Sequence, residues 1–273
     1  MHDHIPSKTA FRVAMRRAAH QLVDNPKILD DPLAIQILAS AAPIENSGSD
    51  NLRAFVAVRS RFAEDELAAA VAMGVKQCLV LGAGLDTFAY RNPFPDLRVI
   101  EVDHPATQRW KRELLQSAGI AIPPSMSFVA VDFARQSLSD ELRRSGFRSG
   151  DAAFFSWLGV VPYLTRDAAF GTLRWIGSLP AGSGVVFDYA VARSQLGFLE
   201  KAALDALSHR MARAGEPFQL FFEPAELAGA IKEMGFRDLD DLGSTEINAR
   251  YFAHRQDGLK VRGNLGRLMS ARV

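Results

Sequence analysis

Three short apolar runs end in residues that suit a nucleoside. Gly82 and Gly84 close "QCLVLGAG", Asp103 closes "LRVIEVD", and Asp132 closes "MSFVAVD". Glycine lets a backbone approach a ligand closely. A carboxylate about 20 residues further on can accept both hydroxyls of a ribose. Asp132 can take a proton from an exocyclic amine, and the neighbouring Phe133 can lie against a purine face. The loop stops at "GAG" with no third glycine, and "LDTFAYRNPFPDL" holds Pro93 and Pro95 before the next strand. A pyrophosphate needs a helix N-terminus pressed behind the loop. This loop therefore suits a nucleoside without phosphates, and S-adenosylmethionine is the common cofactor of that description. The bland alternative is a tight turn with two solvated aspartates. Acids closing two successive strands of one unit argue against it.

The elements that must hold these residues follow from periodicity. The first third reads helical. "TAFRVAMRRAAHQL" puts Phe11, Ala14, Met15, Ala18 and Leu22 on one stripe, with Arg12, Arg16 and Arg17 beside it. In "DDPLAIQILAS", Asp31 reads as an N-cap and Pro32 as the first helical residue. A long helix runs from about Asp50 and stops at Gly74. Beyond Gln77, the runs "QCLVLG", "LRVIEVD", "MSFVAVD", "DAAFFSWLG" and "GVVFDYA" alternate with amphipathic stretches. That alternation predicts a doubly wound α/β fold, a mostly parallel sheet with helices on both faces. "FRDLDDLG" and "ARYFAHR" are weaker strand candidates. The expected organisation is one domain: a helical cap (1–74), a cofactor-binding sheet (75–191), a helical insertion (192–222) and a last helix with strands (223–273).

Composition narrows the partners. The chain has 273 residues, 48% hydrophobic and 23% charged, with a net charge of +1. Such a balance gives no long-range attraction for nucleic acid or an acidic membrane surface, so a small-molecule acceptor is the expected partner. No apolar run is long enough to span a bilayer. The single Cys78 excludes an internal disulfide and reads as a buried, inert thiol. With no apolar leader core in "MHDHIPSKTAFRVAMRRAAHQ", the cytoplasm is the expected compartment.

Several segments, in order, carry a family resemblance: "SKTAFRVAMRRAAHQLVDNPKILDDPLAIQIL", "VRSRFAED", "QCLVLGAGLDTFAYR", "VIEVDHPATQRWKRELL", "VDF", "FFSWLGVVPYLT", "FDY" and "FFEPAELAGAIKEMGF". The chain resembles the leucine carboxyl methyltransferase-like group of class I S-adenosylmethionine-dependent methyltransferases, in its bacterial branch, from about Ser7 to Leu259. "LGAGLDT" followed by "EVDHP" is the specific part. The resemblance implies a seven-stranded Rossmann-like sheet and O-methyl transfer, often to a carboxylate and sometimes in secondary metabolism. It implies that Gly82 and Gly84 contact the methionine part of the cofactor, Asp103 the ribose, and Asp132 with Phe133 the adenine. Arg59 in "AVRSRF" matches an arginine that pairs with the cofactor carboxylate. Lys8 and Thr9 fall where an N-terminal segment closes over that same end.

One departure limits the substrate. Carboxyl methyltransferases of protein C-termini carry an Ala-Glu pair just after the fourth strand. Here "FSWLGVVPYL" places Trp157 and Leu158 there, so a protein substrate does not carry over. Trp157 could wall an acceptor pocket or simply fill the core. Tyr163 follows the fourth strand, where class I enzymes meet their acceptor, and Tyr251 with Arg250 could reach the pocket from the last strands. His104 precedes Pro105 and reads better as a helix entry than as a base. "RRAAH" and "RWKRELL" read as solvated helix faces. No Cys/His cluster has ligand spacing, so no metal is expected.

The expected activity is O-methyl transfer to a small organic acceptor, a carboxylate before a phenol. A nicotinamide-dependent oxidoreductase and a silent cofactor-binding module are the rivals.

Overall fold

The computed structural model describes residues 8–39, 41, 43–44, 49–132, 136–213 and 215–273. The chain opens with helices α1 (Lys8–Val23), α2 (Leu33–Gln36) and α3 (Asp50–Ala72). Strand β1 (Gln77–Leu81), the single turn α4 (Phe88–Arg91), β2 (Arg98–Asp103), α5 (Pro105–Ser117), β3 (Met126–Ala130), α6 (Leu138–Arg144) and β4 (Phe154–Trp157) follow. Next come α7 (Arg166–Gly177), β5 (Gly184–Ala190), α8 (Phe198–Arg213), α9 (Pro224–Glu233), β6 (Asp238–Leu242), α10 (Ser244–Tyr251) and β7 (Gly266–Arg272). The seven strands form one sheet in the order β3-β2-β1-β4-β5-β7-β6. β7 alone runs antiparallel, paired with β5 on one side and β6 on the other.

Local chemistry explains the element ends. Ser49 caps α3 by accepting the Leu52 N–H, and Gly74, at φ +98°, ends it in a conformation that only glycine adopts easily. His104 caps α5 by accepting the Ala106 N–H at 3.2 Å, with Pro105 as the first helical residue. β1 is buried at every position because both of its faces are covered. Cys78 and Val80 pack against α3, while Leu79 and Leu81 join the core under α6, α7 and α9. Burial also pushes the Cys78 thiol up, which fits an inert side chain.

Charge inside the cap departs from the sequence expectation. Arg17 is buried: it pairs with Asp31, with Asp86 at 2.6 Å, and with the Thr87 hydroxyl at 2.9 Å. Asp31 makes no side-chain cap; it is fully buried between Arg17, Thr87 and Arg91. His20 is buried as well, with Nδ1 on Asp24 at 2.7 Å and Nε2 accepting the Ile28 N–H. On α5, Lys111 is buried against Glu101 at 2.7 Å. Arginine and lysine stripes look solvated when counted by period, but here Arg17 and Lys111 each face an acid from another element. Leu22, expected on the apolar stripe of α1, is exposed.

The last strands also differ. "ARYFAHR" lies in and just beyond α10, and the strand beside β5 is β7, over "GRLMSAR". Arginine at its second and last positions masks an apolar stretch whose Leu268, Met269 and Ala271 are fully buried.

Replacing Asp31 by Ala leaves Arg17 and Arg91 without a shared buried acid. Breaking one partner of such a pair costs about 3–5 kcal/mol. Urea unfolding of Asp31→Ala is expected to show a loss of that order, and a loss below about 1 kcal/mol contradicts the role assigned to this network.

Candidate functional site

Strand order reverses between β1 and β4, and in open parallel sheets a ligand crevice forms there, beyond the carboxyl ends of the strands. A cavity of about 640 Å³ occupies that place. Its floor is Gly82, Ala83 and Gly84 after β1, Asp103 at the end of β2, Asp132 after β3, and Leu158 with Gly159 after β4. One wall is α1, through Thr9, Ala10, Val13 and Arg17. Another is Tyr163, together with the segment after α8 around Glu216 and Gln219.

The glycine loop is built for close approach. Gly82 (φ +66°) and Gly84 (φ +49°) both lie in the left-handed region. A Cβ on Gly82 would overlap Val160, and one on Gly84 would press on Ala10 of α1. The Gly84 N–H donates to Asp103 Oδ2 at 2.5 Å, and the His104 N–H donates to Oδ1 at 2.6 Å. These bonds fix the carboxylate at the mouth of the crevice while leaving lone pairs on both oxygens. Burial raises the Asp103 pKa, and the two backbone donors oppose that rise. Asp86 answers to the same balance in the other direction. Burial would push it up, but Arg17, then Lys111, hold it down at about 2.

Arg59 comes from α3 and reaches the cavity wall beside Gly159, with its Nη1 on Asp188 at 3.0 Å. Asp188 also accepts the Gly159 N–H at 2.5 Å, so one buried carboxylate sets both the guanidinium and the turn after β4. Thr9 donates its N–H (3.2 Å) and its hydroxyl to Glu216, which latches the start of α1 to the segment after α8.

Of the residues singled out from sequence, Arg59, Gly82, Gly84, Asp103, Asp132 and Tyr163 come together on this cavity. Phe133 lies outside the described residues. Lys8 opens α1 as an exposed residue and does not line the cavity, whereas Thr9 does. Trp157 is buried against Phe187 in the core, 1% exposed, so its neighbour Leu158 takes the wall position. Tyr251 belongs to α10 and donates to Asp65 at 3.1 Å, away from the cavity. Sequence reading missed Arg17, Asp86, Ser156 and Glu216 on the wall. The "GLDT" stretch holds Asp86, but Glu216 follows the insertion without any local motif.

Comparison with known proteins bears on this geometry. The leucine carboxyl methyltransferase profile matches residues 10–177. The chain is 31% identical over 290 residues to a Bacillus subtilis (strain 168) protein named as an S-adenosyl-L-methionine-dependent methyltransferase, YktD, covering 93% of this chain and 94% of that one. The chain belongs to the leucine carboxyl methyltransferase family. A Saccharopolyspora erythraea relative with the same kind of name is 34% identical over 202 residues, 69% of each chain. Among solved structures, a DUF574 family protein from Streptomyces avermitilis shares the fold with a TM-score of 0.60 at 18% identity, covering 95% of this chain and 96% of that one. The family member described here is an S-adenosyl-L-methionine-dependent methyltransferase, with a seven-stranded class I sheet.

The residues present fit that cofactor. The glycine floor admits close approach, and Asp103 holds two oriented oxygens at the β2 end, where a ribose diol needs them. Arg59 offers a guanidinium for a carboxylate. Replacing Asp103 by Ala removes two charge-assisted bonds of about 1.5–3 kcal/mol each. Calorimetric titration with S-adenosylhomocysteine is expected to show at least tenfold weaker binding, with the fold intact. Unchanged affinity would remove Asp103 from the site.

Proposed function

We propose that the protein transfers a methyl group to an oxygen of a small organic acceptor, with a carboxylate as the preferred nucleophile. When bound, the cofactor supplies an activated sulfonium methyl. The remaining work of this chain is to bind, orient and exclude water. The observation that carries the reading is the state of the titratable groups on the cavity wall. Asp86 is held at about 2 by Arg17 against the effect of burial, which makes it a weak proton acceptor. Both oxygens of Asp103 accept backbone N–H groups. Burial pushes the Tyr163 phenol up to about 12, so it keeps its proton through the neutral range. His104 commits Nδ1 to the start of α5. Glu216 is engaged by Thr9. Among the described residues, the histidine–carboxylate pair is His20 with Asp24, buried under α1 and absent from the cavity wall.

A carboxylate acceptor does not need a base. It is ionised above pH ~5, and its attack then depends on placement. A phenol, with a pKa near ~10, would need a base poised near neutrality. α1, latched by Thr9 to Glu216, closes one side of the cavity and makes it drier. Loss of the sulfonium charge during transfer favours such a setting. A small acceptor also fits the replacement of an acidic position by Leu158 on the wall. We place the reaction in the cytoplasm, where a single buried thiol stays reduced; no helix among the described residues is long and apolar enough to cross a membrane.

Between about pH 6 and 9, kcat with the acceptor is expected to stay nearly flat, because neither a carboxylate nor an arginine titrates there. His104→Ala is expected to cost less than the roughly hundredfold typical of a lost general base. A tenfold rise in kcat per pH unit, abolished by one His or Tyr substitution, would reject carboxyl transfer in favour of a phenol.

A further inference from the structure

Arg59 stands on the cavity wall through a single bond. It is 8% exposed, and its Nη1 donates to Asp188 Oδ2 at 3.0 Å. Among the described residues its Nε and Nη2 make no hydrogen bond. Unlike the Nε of Arg17, neither is sealed in the interior. The guanidinium thus offers its side-on edge, the geometry that takes a carboxylate with two parallel bonds.

The aim of that edge is fixed from the sheet. β5 runs beside β4 with Phe187 opposite Trp157, so Asp188 lies level with Leu158, just before the turn at Gly159. Phe187 and Tyr189 turn into the core under α7 and α9. Alternation along the strand sends Asp188 to the opposite face, where α3 packs and Arg59 arrives. The second oxygen, Oδ1, accepts the Gly159 N–H at 2.5 Å. Gly159 has φ +71°, and a Cβ there would stand 2.8 Å from Arg59 Nη2. Carboxylate, turn and guanidinium are therefore one unit, and a change at Asp188 or Gly159 moves Arg59. Asp188 itself is 6% exposed and does not line the cavity.

We propose that Asp188 is a positioning residue for the amino-acid end of S-adenosylmethionine, holding Arg59 so that its free edge meets the methionine carboxylate. This rests on the reading of Arg59 as the partner of that carboxylate, and it holds whichever acceptor receives the methyl group. A carboxylate is the group the position requires. Two donors converge on it, one on each oxygen. The isosteric asparagine has one acceptor oxygen, and its NH2 would face a donor. Asp188 also sets the turn that leads through Val160 to the cavity wall at Tyr163, so one side chain serves both places.

The test measures calorimetric affinities of the full chain for two ligands, S-adenosylhomocysteine and 5′-methylthioadenosine. The second keeps the nucleoside and the thioether but lacks the amino-acid end. Asp188→Asn is expected to bind S-adenosylhomocysteine at least about fivefold more weakly, and methylthioadenosine within about twofold of wild type. A merely structural role would weaken both. Arg59→Gln is expected to show the same split. Adding Asp188→Asn to Arg59→Gln is expected to cost less than about a further twofold, because asparagine then has only the Gly159 N–H to accept. Gly159→Ala approaches the same guanidinium from the other side, with Asp188 intact, and decides the matter if Asp188→Asn does not fold. The same split is expected there. Parallel loss of both ligands, full S-adenosylhomocysteine affinity in Asp188→Asn, or an additive loss in the double variant would overturn the inference. Unchanged S-adenosylhomocysteine affinity in Arg59→Gln would instead remove Arg59 as the carboxylate partner, and the inference with it.

Discussion

Closure of the cavity turns on one buried guanidinium. Arg17 reaches from α1 across to Asp86 and Thr87, in the turn after β1, and to Asp31 ahead of α2. Without it, α1 would offer the sheet a narrow stripe of alanines with Met15, since Leu22 is exposed and Phe11 only partly buried. An apolar stripe of small side chains positions a helix loosely, whereas a guanidinium with three fixed acceptors sets both its rotation and its height. The glycine loop depends on that position, because Gly84 and Ala10 stand too close for a larger residue at either place.

The same constraint links packing to chemistry. Asp86 anchors Arg17 and sits on the cavity wall, so the acid in the turn after the glycine loop is held in its charged form by the helix that covers it. The wall thus offers fixed charges and dipoles, a setting in which placement and water exclusion dominate the rate. Asp188 repeats the pattern on the far side, where it aligns Arg59 and the Gly159 N–H together. In both places one carboxylate serves a guanidinium and a backbone turn.

How much of this was legible in the sequence depended on distance along the chain. The strand ends were readable because period, glycine and acid lie within one unit: Gly82, Gly84, Asp103 and Asp132 all stand on the cavity. The cap was readable as helical but not as charged within. Arg17 and Asp31 are 14 residues apart and Arg17 and Asp86 are 69 apart, so no local pattern announces their pairing. Lys111 was hidden the same way, since an amphipathic period assigns every lysine to water. β7 was missed because its two arginines and leading glycine lower its apparent apolar content, while "ARYFAHR" imitates a strand with aromatic residues and turns helical after the Gly243 entry. Trp157 and Tyr251 failed for a common reason. A large aromatic has many uses in a core, and only its neighbours decide which.

The central claim is that the cofactor lies in the crevice beyond β1, β2 and β4, with α1 closed over it. Hydrogen exchange of the whole chain, with and without S-adenosylhomocysteine, tests this directly, because protection reports each backbone segment separately. The account predicts slower exchange at the glycine loop around Gly82 to Asp86, at Asp103 and His104, at Gly159 and Val160, and along α1 from Thr9 to Arg17. Protection confined to the far face of the sheet, or protection of the strand ends with α1 exchanging as fast as before, would contradict it.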